Sequence, residues 1–183
     1  MSSVNVNGGW KDFDKVYAKV NDVWKTVDKI FTNINGTWKE GYTSNIIFPN
    51  IPRIDGESYQ CFVYGSGIVL TDLKLTNGTM SFTVGRHYAN FNTIDRAEFY
   101  RHYCVDLYVH GINASGVSTY DYCPICDKED ERDAQGVTMD FPAKQYSFPS
   151  SLAKTTYFEI HRVLQLGYGE IYHEQTDRVD YSL

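Results

Sequence analysis

The sequence predicts an all-β protein in two parts, an N-terminal β-meander repeat module followed by a β-sandwich or jelly-roll-like domain. Three observations predict it. Tryptophan recurs every 14 residues near the start, at Trp10, Trp24 and Trp38. Aromatic residues reach 15%, with 15 Tyr and 10 Phe, and such rings pack well on a pleated surface. Beyond residue 57, strand-like runs are separated by turn signals about every ten residues, without sustained helical periodicity.

The repeat occupies residues 1–43. Its copies read VNGGWKDFDKVYAKV, VNDVWKTVDKIFTNI and INGTWKEGYTSNI, so Asn7, Asn21 and Asn35 each precede a Trp by three. A Lys follows each indole, at Lys11, Lys25 and Lys39. Asn7-Gly8 and Asn35-Gly36 are strong two-residue hairpin turns, and Asn21-Asp22 is a weaker form of the same turn. The intervening residues are dominated by Val, Ile, Thr, Trp, Tyr and Phe. Five-residue strands joined by two-residue turns, including one at Asp28-Lys29, then predict a meander. A competing reading exists, because Phe13, Val16, Val20, Val23, Val27, Ile30 and Ile34 also follow the 3-4 spacing of a heptad seam. On the strand reading Val23, Lys25 and Val27 share one face while Trp24 and Thr26 share the other. Both faces then carry apolar groups, and so small a meander cannot bury both unaided. The indoles and their lysines are therefore the candidate partner-binding residues, since Trp is favoured at interface hot spots; the alternative is that the indoles form the module's own core.

Tandem units of the form V-N-G-x-W-K, as in VNDVWKTVDKIFTNINGTWKEGY, resemble repeats near the N-terminus of tail, tail-fibre and other structural proteins of tailed bacteriophages. The resemblance covers residues 4 to about 43. It implies that the N-terminus attaches the protein to a particle while the remainder varies. Asp22 departs from the pattern, standing where the other copies have Gly.

Residues 44–57 contain Pro49, Pro52 and Gly56 and are expected to form a linker. The larger domain is expected over 58–183. Its strand-like runs are YQCFVYG (59–65), GIVLTDLKL (67–75), TMSFTVG (79–85), AEFYRHYCVDLYVHG (97–111), GVSTYDY (116–122), VTMDF (137–141), TTYFEIHRVLQLGYG (155–169) and EIYHE (170–174). Asn77-Gly78 is another two-residue hairpin signal. Alternation in the fourth run assigns Phe99, Arg101, Tyr103, Val105, Leu107 and Val109 to the core. It assigns Tyr100, His102, Cys104, Asp106, Tyr108 and His110 to the wetter face. The charged stretch 126–136 is expected as a loop or one helical turn.

Charge and motifs narrow the chemistry. Seventeen basic residues stand against 23 acidic ones, a net charge of -6, so the electrostatic footprint of nucleic-acid binding is missing. No signal-peptide pattern and no run of 18 apolar residues is present, so a chain made in the host cytoplasm without a membrane span is expected. In such a compartment Cys61, Cys104, Cys123 and Cys126 are expected as reduced thiols. Cys123-Pro124-Ile125-Cys126 is half of a zinc knuckle. Completing it would require Cys61 with Cys104 or His102 to converge from other strands. A glutaredoxin-like redox pair is disfavoured by the charged DKEDERD that follows in place of a helix. His87, His102, His110, His161 and His173 show no metal spacing, and no nucleophile elbow or phosphate loop occurs. Glu98, Glu159, Glu170 and Glu174 could pair for glycoside cleavage only if the fold converged them. No catalytic residue, metal ligand or cofactor is therefore assigned. The expected function is that of a multicopy, oligomeric virion component whose partners are other virion proteins. The alternative is a carbohydrate-binding module recognising host surface glycans.

Overall fold

The computed structural model describes residues 2–6, 9–13, 16–20, 22–27, 29–34, 37–43, 45–57, 60–93, 100–132, 134–167 and 169–183; before residue 45, the side chains described are those of 17–19 and 22–27. The chain is all-β, and it divides into two units, Met1–Asn45 and Ile46–Leu183.

In the first unit the strands are β1 (Ser2–Val6), β2 (Gly9–Phe13), β3 (Val16–Val20), β4 (Val23–Val27), β5 (Lys29–Ile34) and β6 (Thr37–Thr43). Among the described residues they pair only as β1–β2, β3–β4 and β5–β6, all antiparallel. The expected continuous meander is thus three separate hairpins, and the heptad-helix alternative is overturned. Turn chemistry explains the difference. A tight hairpin turn needs residues that accept φ > 0, and Lys29, expected in a turn, is poorly suited to this and opens β5 instead. Asp22 does take the left-handed conformation at φ 63° that its glycine counterparts accept freely. The other residues of the three expected Asn turns, and Asp28, lie outside the described residues.

The second unit contains β7 (Ile46–Phe48), β8 (Ile51–Asp55), β9 (Phe62–Gly65), β10 (Ile68–Thr76), β11 (Thr79–Val84), β12 (His87–Asn92), β13 (Arg101–Asn113), β14 (Ser118–Asp130), β15 (Gly136–Phe141), β16 (Lys144–Pro149), β17 (Leu152–Leu166) and β18 (Ile171–Asp180). They form three four-stranded sheets, ordered β16-β11-β10-β7, β15-β12-β9-β8 and β14-β13-β17-β18. The first two orders match strand for strand, because four chain segments each run through one sheet, bend, and continue into the other. The bends fall at Pro49-Asn50, Ser66-Gly67, Gly85-Arg86 and Pro142-Ala143. Only glycine fits at 67, since a Cβ there would sit 2.6 Å from the Phe48 carbonyl oxygen. Asn50 Oδ1 caps this corner, accepting from the Gly67 amide at 2.6 Å.

The expected linker is mostly strand. Ile46, Phe48 and Ile51 are buried, and β7 and β8 are edge strands. Edge position is why proline is tolerated, for a residue without an N–H can face outward there. Cys126–Asp130, expected in a loop, completes β14. A bulge at Ile125 accommodates this, since Val105 pairs with Cys126 and Asp106 with Pro124.

One apolar core serves all three sheets. Phe48, Leu70, Met80 and Phe82 come from the first, Val63, Phe91 and Met139 from the second, and Tyr103, Leu107, Phe158 and Leu164 from the third. Each such side chain contributes about 1.5–3 kcal/mol by leaving water. Two arginines share this interior. Arg162 donates to the Pro49 carbonyl at 2.8 Å and to Asp177, while Arg101 donates to the carbonyls of Arg132, at 2.9 Å, and Ala134. Arg162 thereby ties the β7–β8 bend to the long sheet. The alternation expected for β13 is observed, Arg101 included; Phe99 lies outside the described residues.

Candidate functional site

The hairpins place the repeated residues identically. Trp10 pairs with Asn5, Trp24 with Lys19 and Trp38 with Asn33, each indole being the second residue of its hairpin's second strand. One 14-residue period is therefore one hairpin. Lys25 follows Trp24 on the opposite face by strand alternation. The side chains of Trp10, Lys11, Trp38 and Lys39 lie outside the described residues. In the middle hairpin Trp24 is 67% exposed, Val23 58% and Tyr17 54%. Lys25 is exposed as well. Tyr17, Lys19, Trp24 and Thr26 share one face by register, and Val23, Lys25 and Val27 the other. Both apolar faces meet water, as two strands alone cannot cover either.

A second surface lies on the outer face of the sheet β14-β13-β17-β18. Cross-strand register sets the wetter side chains in rows, Tyr120-His110-Tyr157-Asp180 in one and Tyr122-Tyr108-Glu159-Arg178 in the next. The rings touch: Tyr108 lies 5.3 Å from Tyr122, 5.7 Å from Tyr120 and 4.7 Å from His161, and His110 stacks on Tyr157 at 4.2 Å. The Arg178 guanidinium covers the far side of Tyr157 at 3.7 Å. Carboxylates sit among the rings. The Tyr122 hydroxyl donates to Asp106 at 2.7 Å, a bond that pushes its pKa up to about 12 and keeps it a donor. His161 bonds Glu159 at 2.9 Å. Burial lowers the pKa of His110, which favours its neutral form. None of these outer-face residues was singled out as a binding residue from sequence; the available signal was the alternation of β13 with its Tyr and His on the wet side.

Cys123 and Cys126, expected as reduced thiols and weighed as half of a zinc knuckle, lie within β14. Cys123 and Cys126 are both free, Cys123 buried and Cys126 with its sulfur 3.8 Å from His87 Nε2. Burial pushes the Cys104 and Cys123 thiols up to about 11, and that of Cys126 up as well, so none is a thiolate nucleophile at neutral pH. His102 and Cys104 do converge, but with Asp127, whose direct partner across the strands is Cys104. Their donor atoms lie within 4.8 Å of one another, a set that could hold a divalent transition metal. The group is also bonded without one, His102 Nε2 to Asp127 at 2.7 Å and the Cys104 thiol to Asp106 at 3.7 Å.

Of the candidate glycosidase carboxylates, Glu159 is engaged by His161 and Glu174 accepts from the Tyr172 hydroxyl at 2.6 Å; Glu98 lies outside the described residues. No protein-family model matches this chain, and no curated protein matches it at a significant level.

Proposed function

We propose that this protein is a non-enzymatic, multicopy structural component of a tailed-bacteriophage particle, a tail, fibre, baseplate or capsid-surface protein, made in the host cytoplasm and held to the virion by its three N-terminal hairpins. The observation that carries the reading is the threefold repetition of one register, with an exposed indole on the hairpin whose side chains are described. A lone hairpin is marginal in water, and the middle one presents apolar groups on both faces, so three in succession gain stability by covering such groups. Burying three indoles at about 150–250 Å² each approaches the roughly 800 Å² per partner of a standard interface. The lysine beside each indole adds a charge at the rim, where it steers association. The V-N-G-x-W-K resemblance supplies the kind of partner, another virion protein or a second copy of this chain. The sandwich-like unit then packs against neighbours or faces outward.

The test substitutes Trp10, Trp24 and Trp38 with Ala together in the full chain and follows incorporation into particles. The expected result is a folded variant, with the far-UV spectrum of its second unit retained, that stays in the soluble fraction while the native chain sediments with particles. Full incorporation of the variant overturns the reading. All three tryptophans lie in the first unit, so a blue shift of tryptophan emission on assembly reports burial there specifically.

A further inference from the structure

We propose that the outer face of the sheet β14-β13-β17-β18 binds a neutral or amine-bearing oligosaccharide, a role independent of attachment through the hairpins. Tyr120 and Tyr122 on β14 are 55% and 49% exposed, and both rest against Tyr108 on β13. The ring surface continues across β17 through His161 and Tyr157. At ~4.8 Å between strands, the strip from β14 to β18 spans roughly 14 Å, room for a short oligosaccharide. At one end lies a shallow cleft of about 290 Å³ lined by Ser118, Thr119, Tyr120, Thr156 and Tyr157, with the Thr156 hydroxyl donating to the His110 carbonyl at 3.2 Å. A sugar ring offers an apolar face of C–H groups and an edge of hydroxyls. Aromatic rings interleaved with carboxylate and hydroxyl groups match both.

The same residues disfavour other occupants. Protein-interface cores are depleted of Asp and Glu, whereas Asp106 and Glu159 sit inside this strip. Anionic glycans and nucleic-acid phosphates would meet Asp106, Glu159 and Asp180, against which Arg178 is already bonded to Asp180 at 2.8 Å. An uncharged sugar accepts these carboxylates as hydrogen-bond acceptors, and an amino sugar adds a charge-assisted bond.

The experiment applies the full chain to an array of neutral, amine-bearing, sialylated and phosphorylated glycans, then measures affinity for each hit by calorimetry. Binding confined to neutral or amine-bearing glycans is expected. The double variant Tyr120→Ala/Tyr122→Ala should weaken it at least tenfold with unchanged melting temperature. Tyr172→Ala, an exposed tyrosine at the other end of the same face, should leave it intact. A silent array, hits restricted to anionic glycans, or native affinity in the double variant overturns the proposal. So does a double variant that loses particle incorporation on a silent array, since that outcome makes the face a protein contact. The tryptophan substitutions that test attachment leave this binding unchanged, so the two failures are distinguishable.

Discussion

Replacing Arg162 with Met tests whether a buried cation holds the bent layers to the long sheet. Arg162 is fully buried, and its guanidinium bonds the Pro49 carbonyl at 2.8 Å and the carboxylate of Asp177, which is 19% exposed. Methionine keeps much of the aliphatic volume but leaves the carbonyl without this donor and the carboxylate without the guanidinium, with the Gln175 amide still donating to it at 2.8 Å. Breaking one side of a buried pair costs about 3 kcal/mol or more. With a urea slope of roughly 2 kcal/mol/M, the unfolding midpoint of the second unit should drop by about 1.5 M. Arg162→Met/Asp177→Leu should recover most of this loss, because removing both charges also removes their desolvation. A second readout is electrostatic. The Arg162 charge is one of the influences lowering the His87 pKa, so the single variant should raise that pKa in NMR titration. A midpoint shift below about 0.5 M, or a double variant as unstable as the single one, would refute the clamp.

Burial is also the main cause lowering the His87 pKa below its ordinary 6.5, so the folded chain keeps this imidazole neutral while the unfolded chain takes up a proton. Stability should therefore be full above about pH 7 and fall as pH drops through 6.5, by at most about 1.4 kcal/mol per unit from this group; His87→Phe should flatten its share of the slope measured by urea titration. Gly78→Ala should cost only about 1 kcal/mol, since φ is 71° but the nearest atom to the new Cβ is 3.8 Å away. Gly111→Ala should prevent folding of the second unit, its Cβ falling 2.1 Å from the Lys154 carbonyl oxygen, and soluble expression distinguishes the two. The four thiols, all with raised pKa, should react slowly with a thiol reagent at pH 7.5 and fully in denaturant; rapid native labelling of Cys61 or Cys123 would contradict their burial.

Features that depend on near neighbours in the chain were legible in the sequence. The period-2 pattern of β13 placed even Arg101 inward, because neighbouring strand residues point to opposite faces whatever their polarity. Asn77 and Gly78 take φ 51° and 71° as their turn requires. Features set by distant pairing were not legible. Pro49 and Pro52 read as breakers; Pro49 does sit in the β7–β8 bend, whereas Pro52 is compatible with a strand only because β8 is an edge. β12 is hidden in the sequence because His87 and Ala89 share its inward face with Phe91 and neither marks a core strand by composition. The ring strip was invisible for the same reason. Tyr122, Tyr108 and Glu159 are 14 to 51 residues apart, and only the register of three strands aligns them.

The identity of repeat and hairpin makes attachment a question of valency, which chain length can resolve. If each hairpin docks separately, three linked weak contacts hold far more tightly than one, since the second and third bind at an effective concentration near millimolar. Excising residues 15–28 removes one full period and leaves two hairpins with native turns. Particle affinity should then fall by a factor on the order of 10² or more while remaining measurable. Excising residues 16–22 removes only half a period, takes β3 with its turn, and leaves β4 without its pairing partner. That shorter deletion should weaken attachment at least as much as the longer one, although it removes half as many residues. Were the segment a continuous meander or a helix, the loss would instead scale with the residues removed, and the seven-residue excision would be the milder. Sedimentation of both deletion variants with particles decides between these orders.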